Sequence, residues 1–258
     1  MSKHSLILVA ILALTAHAGT LTYNNFQDLA GLALSGAAAQ SGSTITLNPD
    51  LPWTHGSVFI DSPFNPNAGF SISSTFSMAS NGSPGDGLVF RLQPNPYVPS
   101  VLGGALTIYQ VTGLFIVIDT YANAPYSDPP APSLSVIGCG VGLGADPNHA
   151  SGCFLASAPI TSNLFDGNGH SINIAYDLSM LSVSIDNSLL VQRPTNLGSY
   201  LSGPTFFGAS GVTGGLSQAN TLLSASLVTT ESPEPSTIAL VGLALCGCFF
   251  VKKRRVDS

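Results

Sequence analysis

Between residues 19 and 230, apolar side chains return at every second position in short runs, and no helical period is sustained. Phe70, Ile72, Phe76 and Met78 stand on one side of such a run, with Ser71, Ser73, Thr75 and Ser77 on the other. Successive side chains of a strand point to opposite faces, so this run covers a core with one face and meets water with the other. Ile172, Ile174 and Tyr176 alternate in the same way with Ser171, Asn173 and Asp177. After Leu178-Ser179 the pattern resumes, with Leu181, Val183 and Ile185 set against Ser182, Ser184 and Asp186. Two alternating runs with a short turn between them predict a hairpin. Leu114 to Ile118 is apolar throughout, as expected of a strand covered on both faces. Even the Ala-rich stretch from Leu32 to Gln40 alternates at Leu32 and Leu34 and is interrupted by Gly36, which favours strand over helix. Gly, Pro, Asn and Asp punctuate the runs. The expected fold is all-β, with antiparallel sheets packed face to face in a sandwich, a class in which single domains of about 200–250 residues are ordinary.

Charge narrows the possible partners. Only 8% of the 258 residues are charged, and between the two ends the only basic side chains are Arg91 and Arg193, against ten Asp. Binding nucleic acid takes many Lys or Arg to neutralise phosphates, so nucleic acid is excluded.

The termini are of another kind. Lys3 and His4, an apolar core from Leu6 to Leu14, and the small-residue sequence Ala16-His17-Ala18 have the order of a secretory signal peptide over residues 1–18. At the other end, Pro233-Glu234-Pro235-Ser236-Thr237 leads into an apolar run from Ile238 to Val251 and then Lys252-Lys253-Arg254-Arg255. The run is shorter than the roughly 20 residues that span a bilayer comfortably, and the basic cluster holds its end on the cytoplasmic side. A retained tail anchor is one reading of residues 231–258. The segment also closely resembles the PEP-CTERM sorting signal of Gram-negative bacteria, whose Pro-Glu-Pro motif is read and processed by an exosortase. That resemblance implies a precursor anchored transiently in the membrane, an exosortase as partner during sorting, and delivery to the cell surface or the extracellular polysaccharide matrix.

Export permits disulfides. Cys246 and Cys248 fall in the tail, whereas Cys139 and Cys153 flank a Gly-rich stretch, Gly140 to Gly152. Their spacing is not that of a four-ligand zinc site, and a local Cys139–Cys153 disulfide is expected.

The chemistry concentrates where the apolar strand 114–118 ends. Asp119, Tyr121, Asn123 and Asp128 follow within a Pro-rich loop. Calcium takes six to eight oxygen ligands from carboxylates, amide and backbone carbonyls and water. Asp119, the Tyr121 carbonyl, Asn123 and Asp128 can supply such a set, although Asp and Asn in loops more often make turns.

The stretch resembles the metal loop of legume-type (L-type) lectins, in which Asp-Thr-aromatic-x-Asn is followed by a second Asp nine positions after the first. Gly85-Asp86-Gly87-Leu88-Val89-Phe90 resembles that family's Ala-Asp-Gly-Leu-Ala-Phe strand end, whose Asp follows a cis peptide and receives sugar hydroxyls. Gly103-Gly104-Ala105-Leu106 is similar to its Gly-Gly-x-Leu loop, which donates a backbone N–H to the sugar. His170 to Ile185 is similar to its Tyr-Asp hairpin. The stretch from Phe206 to Gly215 is similar to its Gly-Phe-Ser-Ala-Thr-Thr-Gly strand and fourth sugar loop. The resemblance implies a concanavalin-like jelly roll over residues 19–230 that binds calcium and a carbohydrate or exopolysaccharide. A homo-oligomer is compatible with it, because the back sheets of this family pair in many ways.

Each residue carried over has a chemical reason to stand where it does. An ionised Asp86 accepts hydrogen bonds from two adjacent hydroxyls, and charged acceptors make the stronger ones. Gly104 lets its N–H approach the ligand closely. Asn123 can turn its carbonyl oxygen to the ion and its NH₂ to the sugar. Tyr121 can give its carbonyl to the ion and its ring to the sugar's C–H face. Gly214 and Gly215 shape the rim. At the transition-metal site the chain departs from the family: Val117 stands where a Glu is usual, and Pro132 and Ser133 lie where a His is usual. Calcium without manganese is the expectation.

A glycoside hydrolase of the same jelly-roll architecture, such as a laminarinase, needs two carboxylates roughly 5–10 Å apart across the scissile bond. Those enzymes use two Glu on one strand. Both Glu of this chain, Glu231 and Glu234, lie in the tail, and no Asp-x-Asp stands on a strand. No Gly-x-Ser-x-Gly elbow, His-Glu-x-x-His or phosphate-cradling loop is present either, so an enzyme is not expected. The alternative is a structural matrix or adhesion protein that keeps the sandwich and has lost sugar binding. The missing manganese ligands favour it; the presence of Asp86, Gly104, Asn123 and Asp128 opposes it. Of the remaining residues, His55, His149 and His170 are expected in surface loops, Trp53 in the core or at a sheet edge rather than on a sugar, and Asp146 with Asn148 in a turn.

Overall fold

The computed structural model describes residues 18–230. The expected signal peptide, but for Ala18, and the expected sorting signal of residues 231–258 lie outside the described residues. Fifteen strands follow in chain order: β1 (Ala18–Tyr23), β2 (Leu32–Gly36), β3 (Ala39–Ser41), β4 (Thr44–Asn48), β5 (His55–Ile60), β6 (Phe70–Ala79), β7 (Gly87–Gln93), β8 (Leu114–Asp119), β9 (Ser133–Ile137), β10 (Phe154–Pro159), β11 (His170–Tyr176), β12 (Met180–Ile185), β13 (Ser188–Pro194), β14 (Phe206–Val212) and β15 (Ala219–Thr230). They form two sheets. One has eight strands in the order β13-β12-β11-β6-β15-β4-β3, with β1 also pairing β15; the other has seven, β10-β9-β8-β7-β14-β5-β2.

The alternating runs dictate how the eight-stranded sheet sits. In the β11–β12 hairpin Ile172, Ile174 and Tyr176 lie opposite Ile185, Val183 and Leu181, and Ile72 of β6 lies opposite Ile174. All of these side chains are buried on one face. A slip of one residue would turn the whole set to water, so burial fixes the register. The facing sheet supplies the other half of this core. Phe76 of β6 meets Phe90 of β7 edge-on, with ring centroids 6.2 Å apart, and Phe90 stacks on Phe207 of β14 at 6.4 Å.

The seven-stranded sheet is covered on its outer face as well. Every residue of β8 is buried. Leu114, Ile116 and Ile118 point into the inter-sheet core, whereas Phe115 and Val117 join Val89, Ile137 and Val212 in a second apolar cluster. Leu106, Ile108 and Ala145 roof this cluster from two loops, residues 94–113 and 138–153. Burying each large side chain there contributes about 1.5–3 kcal/mol relative to leaving it exposed, so these loops help to hold the fold. The second loop is closed by a Cys139–Cys153 disulfide. The first is tied down by Arg91 of β7, which is fully buried on the same outer face. Its guanidinium donates to Ser210 Oγ (2.7 Å), to the carbonyls of Thr107 (3.0 Å) and Leu106 (3.3 Å) and to Thr107 Oγ1, and lies 5.5 Å from the centre of the Phe115 ring.

Two of the three histidines expected in surface loops are instead parts of strands. His170 opens β11 and is buried, with Nδ1 2.8 Å from Asp186 and Nε2 3.2 Å from Asp166. His55 opens β5 and is half-buried. The cause is tertiary: in each case the neighbouring strand, not the local Gly or Asn, decides exposure.

Candidate functional site

Three adjacent strands of the seven-stranded sheet end together. Gly87, the first residue of β7, is the register partner of Asp119 at the end of β8 and of Val212 at the end of β14. The loops leaving these ends therefore share one rim of the sandwich, and the residues singled out in the sequence converge there. Asp86 is pinned from both sides: its N–H donates to the Val212 carbonyl (3.1 Å) and its carbonyl accepts from the Thr120 N–H (2.9 Å). The Gly85–Asp86 peptide is cis, as the resemblance implies. The Gly103–Ala105 turn reaches the same rim because the Gly103 N–H donates to the Thr213 carbonyl at 3.3 Å.

Asn123 links the parts. Its side-chain amide donates to Asp86 Oδ1 (3.3 Å) and to the Tyr121 carbonyl (3.0 Å), and its backbone N–H donates to Asp128 Oδ2 (2.8 Å). Gly104 lies so close that a Cβ there would stand 2.5 Å from Asn123 Cγ, and a Cβ at Gly214 would stand 2.7 Å from Asp86 Oδ2. Asp86, Gly104, Tyr121, Asn123, Gly214 and Gly215 all line one open cavity of about 550 Å³, together with Trp53, Leu102, Gly103 and Leu216.

Beneath the cavity lie the carboxylates. Asp119 Oδ1 accepts the Tyr121 N–H at 3.0 Å, while its Oδ2 is buried without a hydrogen-bond partner. Burial pushes the Asp119 carboxyl up to about 8, and the charge of Asp128 beside it pushes in the same direction. Asp86 is also raised, by burial first, although its hydrogen bond from Asn123 pulls back. Asp128 is gripped from an unexpected quarter. His149, from the disulfide-closed loop, places Nδ1 2.9 Å from Asp128 Oδ1. Its Nε2 lies 2.9 Å from Ser135 Oγ. This is a Ser–His–Asp line, but Ser135 is fully buried, so its hydroxyl is closed to any substrate. Of the two positions where the family's transition-metal ligands are usual, Val117 packs in the second apolar cluster and Ser133 carries a buried, unpartnered hydroxyl.

Sequence reasoning missed several supports of the site. Trp53 is neither in the core nor at a sheet edge; it is 64% exposed and borders the cavity. Its surroundings come from residues 103 and 213–215, far away in sequence. His149 is not a free loop side chain. A wholly buried polar chain also runs under the rim. Thr120 Oγ1 donates to Gln218 Oε1 (2.6 Å), Gln218 Nε2 to Asn220 Oδ1 (2.8 Å), and Asn220 Nδ2 to Asn48 Oδ1 (2.8 Å) and to the Gly87 carbonyl (3.2 Å). The only hint in the sequence is that Gln218 and Asn220 are polar at alternate positions leading into an otherwise apolar strand face. Asp146 accepts the Asn148 N–H at 2.9 Å, the turn expected of that pair.

A family model of the legume lectin domain matches residues 18–241. The chain belongs to the legume lectin family. Solved lectins share its fold at low sequence identity. Peanut lectin with a nine-residue peptide is 22% identical with a TM-score of 0.69, over 85% of this chain and 100% of that one. The exoplasmic/lumenal domain of VIP36 in its Ca²⁺/Man₃GlcNAc-bound form is 21% identical with a TM-score of 0.68, over 84% and 91%. A Bauhinia forficata lectin in complex with GalNAc is 18% identical with a TM-score of 0.68, over 84% and 100%. Among curated proteins none matches the chain. The legume lectin domain is a carbohydrate-binding domain, in keeping with the expectation that the chain is not an enzyme.

Proposed function

We propose that this legume lectin domain is a calcium-dependent carbohydrate-binding protein exported to the cell surface or extracellular polysaccharide matrix, with Asp86, Gly104, Tyr121, Asn123, Gly214 and Gly215 facing the sugar. The observation that carries the reading is the Asn123 amide, which touches the Asp86 carboxylate at one end of the site and the Tyr121 carbonyl, beside the acidic loop, at the other. A sugar hydroxyl pair offered to this rim finds a charged acceptor in Asp86 and donors in the Gly104 N–H and the Asn123 NH₂.

The residues also fit calcium. Among the described residues no three His, Cys, Asp or Glu side chains converge on one point. A calcium set here therefore draws on Asp119 and Asp128 together with the Asn123 amide oxygen and the Tyr121 carbonyl, a mixture that suits a hard cation. The buried, unpartnered Asp119 Oδ2 next to a second carboxylate is such a donor. Bringing the Asn123 amide oxygen to the ion takes half a turn of the amide and gives up its present hydrogen bonds to Asp86 and the Tyr121 carbonyl. When bound, the ion supplies charge compensation and rigidity; this chain's own residues make the contacts to the sugar. Export and sorting rest on the terminal segments, with their signal-peptide and exosortase-signal patterns.

The test is a glycan array probed with the full chain in calcium, in chelator, and as Asn123→Ala. Binding abolished by chelator and by the substitution supports the reading. A folded protein that takes up calcium and binds no glycan overturns it and leaves a structural matrix protein.

A further inference from the structure

Trp53 is the one tryptophan of the chain, and it is presented to solvent rather than packed. Its backbone is left-handed, with φ of 55°, a conformation bulky side chains rarely adopt. The conformation is held in place. The Trp53 N–H donates to the Gly214 carbonyl at 2.8 Å, the next N–H donates to Thr213 Oγ1 at 2.9 Å, and that hydroxyl donates to the Leu51 carbonyl at 2.8 Å. A strained backbone locked by the site's own fourth loop, carrying an exposed aromatic ring, is a side chain positioned for use.

The ring lies against glycines. A Cβ at Gly215 would stand 3.8 Å from its Cζ2, and one at Gly103 would stand 4.0 Å from its Cζ3 and 3.9 Å from Asp86 Oδ2. Gly103 thus borders both the carboxylate and the indole and places no side chain beside either. Tyr121, also exposed, bounds the cavity on the side of Gly85 and Leu216. The cavity of about 550 Å³ falls in the range of roughly 300–1,000 Å³ that takes ligands of several rings.

Charge sets the class of ligand. No basic side chain lines the cavity. Arg91 is buried under the 94–113 loop, and Arg193, on β13, donates to the Leu155 carbonyl. The Asp86 carboxylate, which lines the cavity, disfavours an anion, and no basic side chain there pairs with one.

We propose that Trp53 forms a second sugar subsite beside the Asp86–Asn123 pair, so that the protein selects a neutral oligosaccharide, with one pyranose on the carboxylate and amide and the next laid by its C–H face on the indole. This rests on the carbohydrate-binding reading given above. An aromatic face stacks on an apolar sugar face without reading its hydroxyls, so the subsite adds affinity for chain length.

Because this residue is the only tryptophan, its fluorescence reports the subsite alone. The experiment titrates the full chain, in calcium, with neutral mono- and disaccharides of glucose, galactose and mannose and with the matching uronic acids, for the wild type, Trp53→Ala and Trp53→Phe. Expected are a blue shift of emission with a neutral disaccharide, no binding of the uronides, and a loss of about five- to tenfold in disaccharide affinity in Trp53→Ala that Trp53→Phe largely restores. Monosaccharide affinity stays within about twofold. Disaccharide binding that is lost in Asn123→Ala but leaves emission and the Trp53→Ala affinity unchanged overturns the subsite and leaves the lectin reading standing. Uronide binding equal to that of the neutral sugars overturns the charge argument. No binding of any sugar by the wild type overturns both readings.

Discussion

His149 holds Asp128 from a different loop: Nδ1 and Oδ1 are 2.9 Å apart, and the two side chains are 6% and 2% exposed. The backbone repeats the link, since the His149 N–H donates to the Tyr126 carbonyl at 2.8 Å. The acidic loop is therefore latched to the disulfide-closed loop. Replacing His149 by Ala leaves Asp128 buried with one partner fewer, and the expected cost is about 1–3 kcal/mol of stability together with weaker calcium uptake. Thermal unfolding and a calcium titration read the two effects, and a variant indistinguishable from wild type in both would show that the latch carries nothing.

The disulfide acts on the same latch. Cys139 and Cys153 are separated by 14 positions, and closing a loop of that length stabilises by about 3 kcal/mol through the unfolded state. The double substitution to Ser is expected to lose about that much in denaturant unfolding. Combined with His149→Ala it is expected to lose less than the sum, because both act through one loop. Strict additivity would separate the two.

Gly104→Ala tests the site with little appeal to stability. The added Cβ meets the Asn123 amide at 2.5 Å, so the amide must leave its place between Asp86 and Tyr121. Glycan binding should fall by at least about tenfold while the melting temperature moves by no more than a few degrees. Retained binding in a folded Gly104→Ala protein would mean that Asn123 does not face the ligand.

Gln218→Leu interrupts the polar chain beneath the rim and strands the Thr120 hydroxyl and the Asn220 side-chain amide oxygen in a dry interior. Each buried polar group left unpaired costs about 1–3 kcal/mol, so a loss of about 2–5 kcal/mol is expected in urea unfolding. Replacement by Glu rescues only while its buried carboxyl is protonated, because the ionised form cannot donate to Asn220 as the amide does. A loss below about 0.5 kcal/mol would indicate that water replaces the missing donor.

Much of the sandwich can be read directly from the chain because one-sided burial writes itself as alternation. The β6, β11 and β12 runs show it, and the unbroken apolar run of β8 marks the sheet covered on both faces. The acidic loop and the glycine turns are equally local, so the sequence motifs that carry the family resemblance hold four residues that meet at the cavity, Asp86, Gly104, Tyr121 and Asn123. Arg91, His149 and Trp53 were not. Each is defined by what it touches across more than a dozen positions: Thr107 and Ser210 for Arg91, Asp128 and Ser135 for His149, Gly214 for Trp53. Residue type predicted the average fate of a histidine or tryptophan, and the long-range contacts overrode it.

The roof over the outer face of the seven-stranded sheet limits how such a protein can diversify. The loop that carries Gly103 and Gly104 also carries Leu106 and Ile108, which seal Val89, Phe115 and Val117 from water. Exchanging that loop to change ligand preference would open a core, so a lineage in search of a new sugar has to work elsewhere. The freer ground is the exposed edge of the cavity at Trp53 and Tyr121, where a side chain can be swapped without unroofing anything.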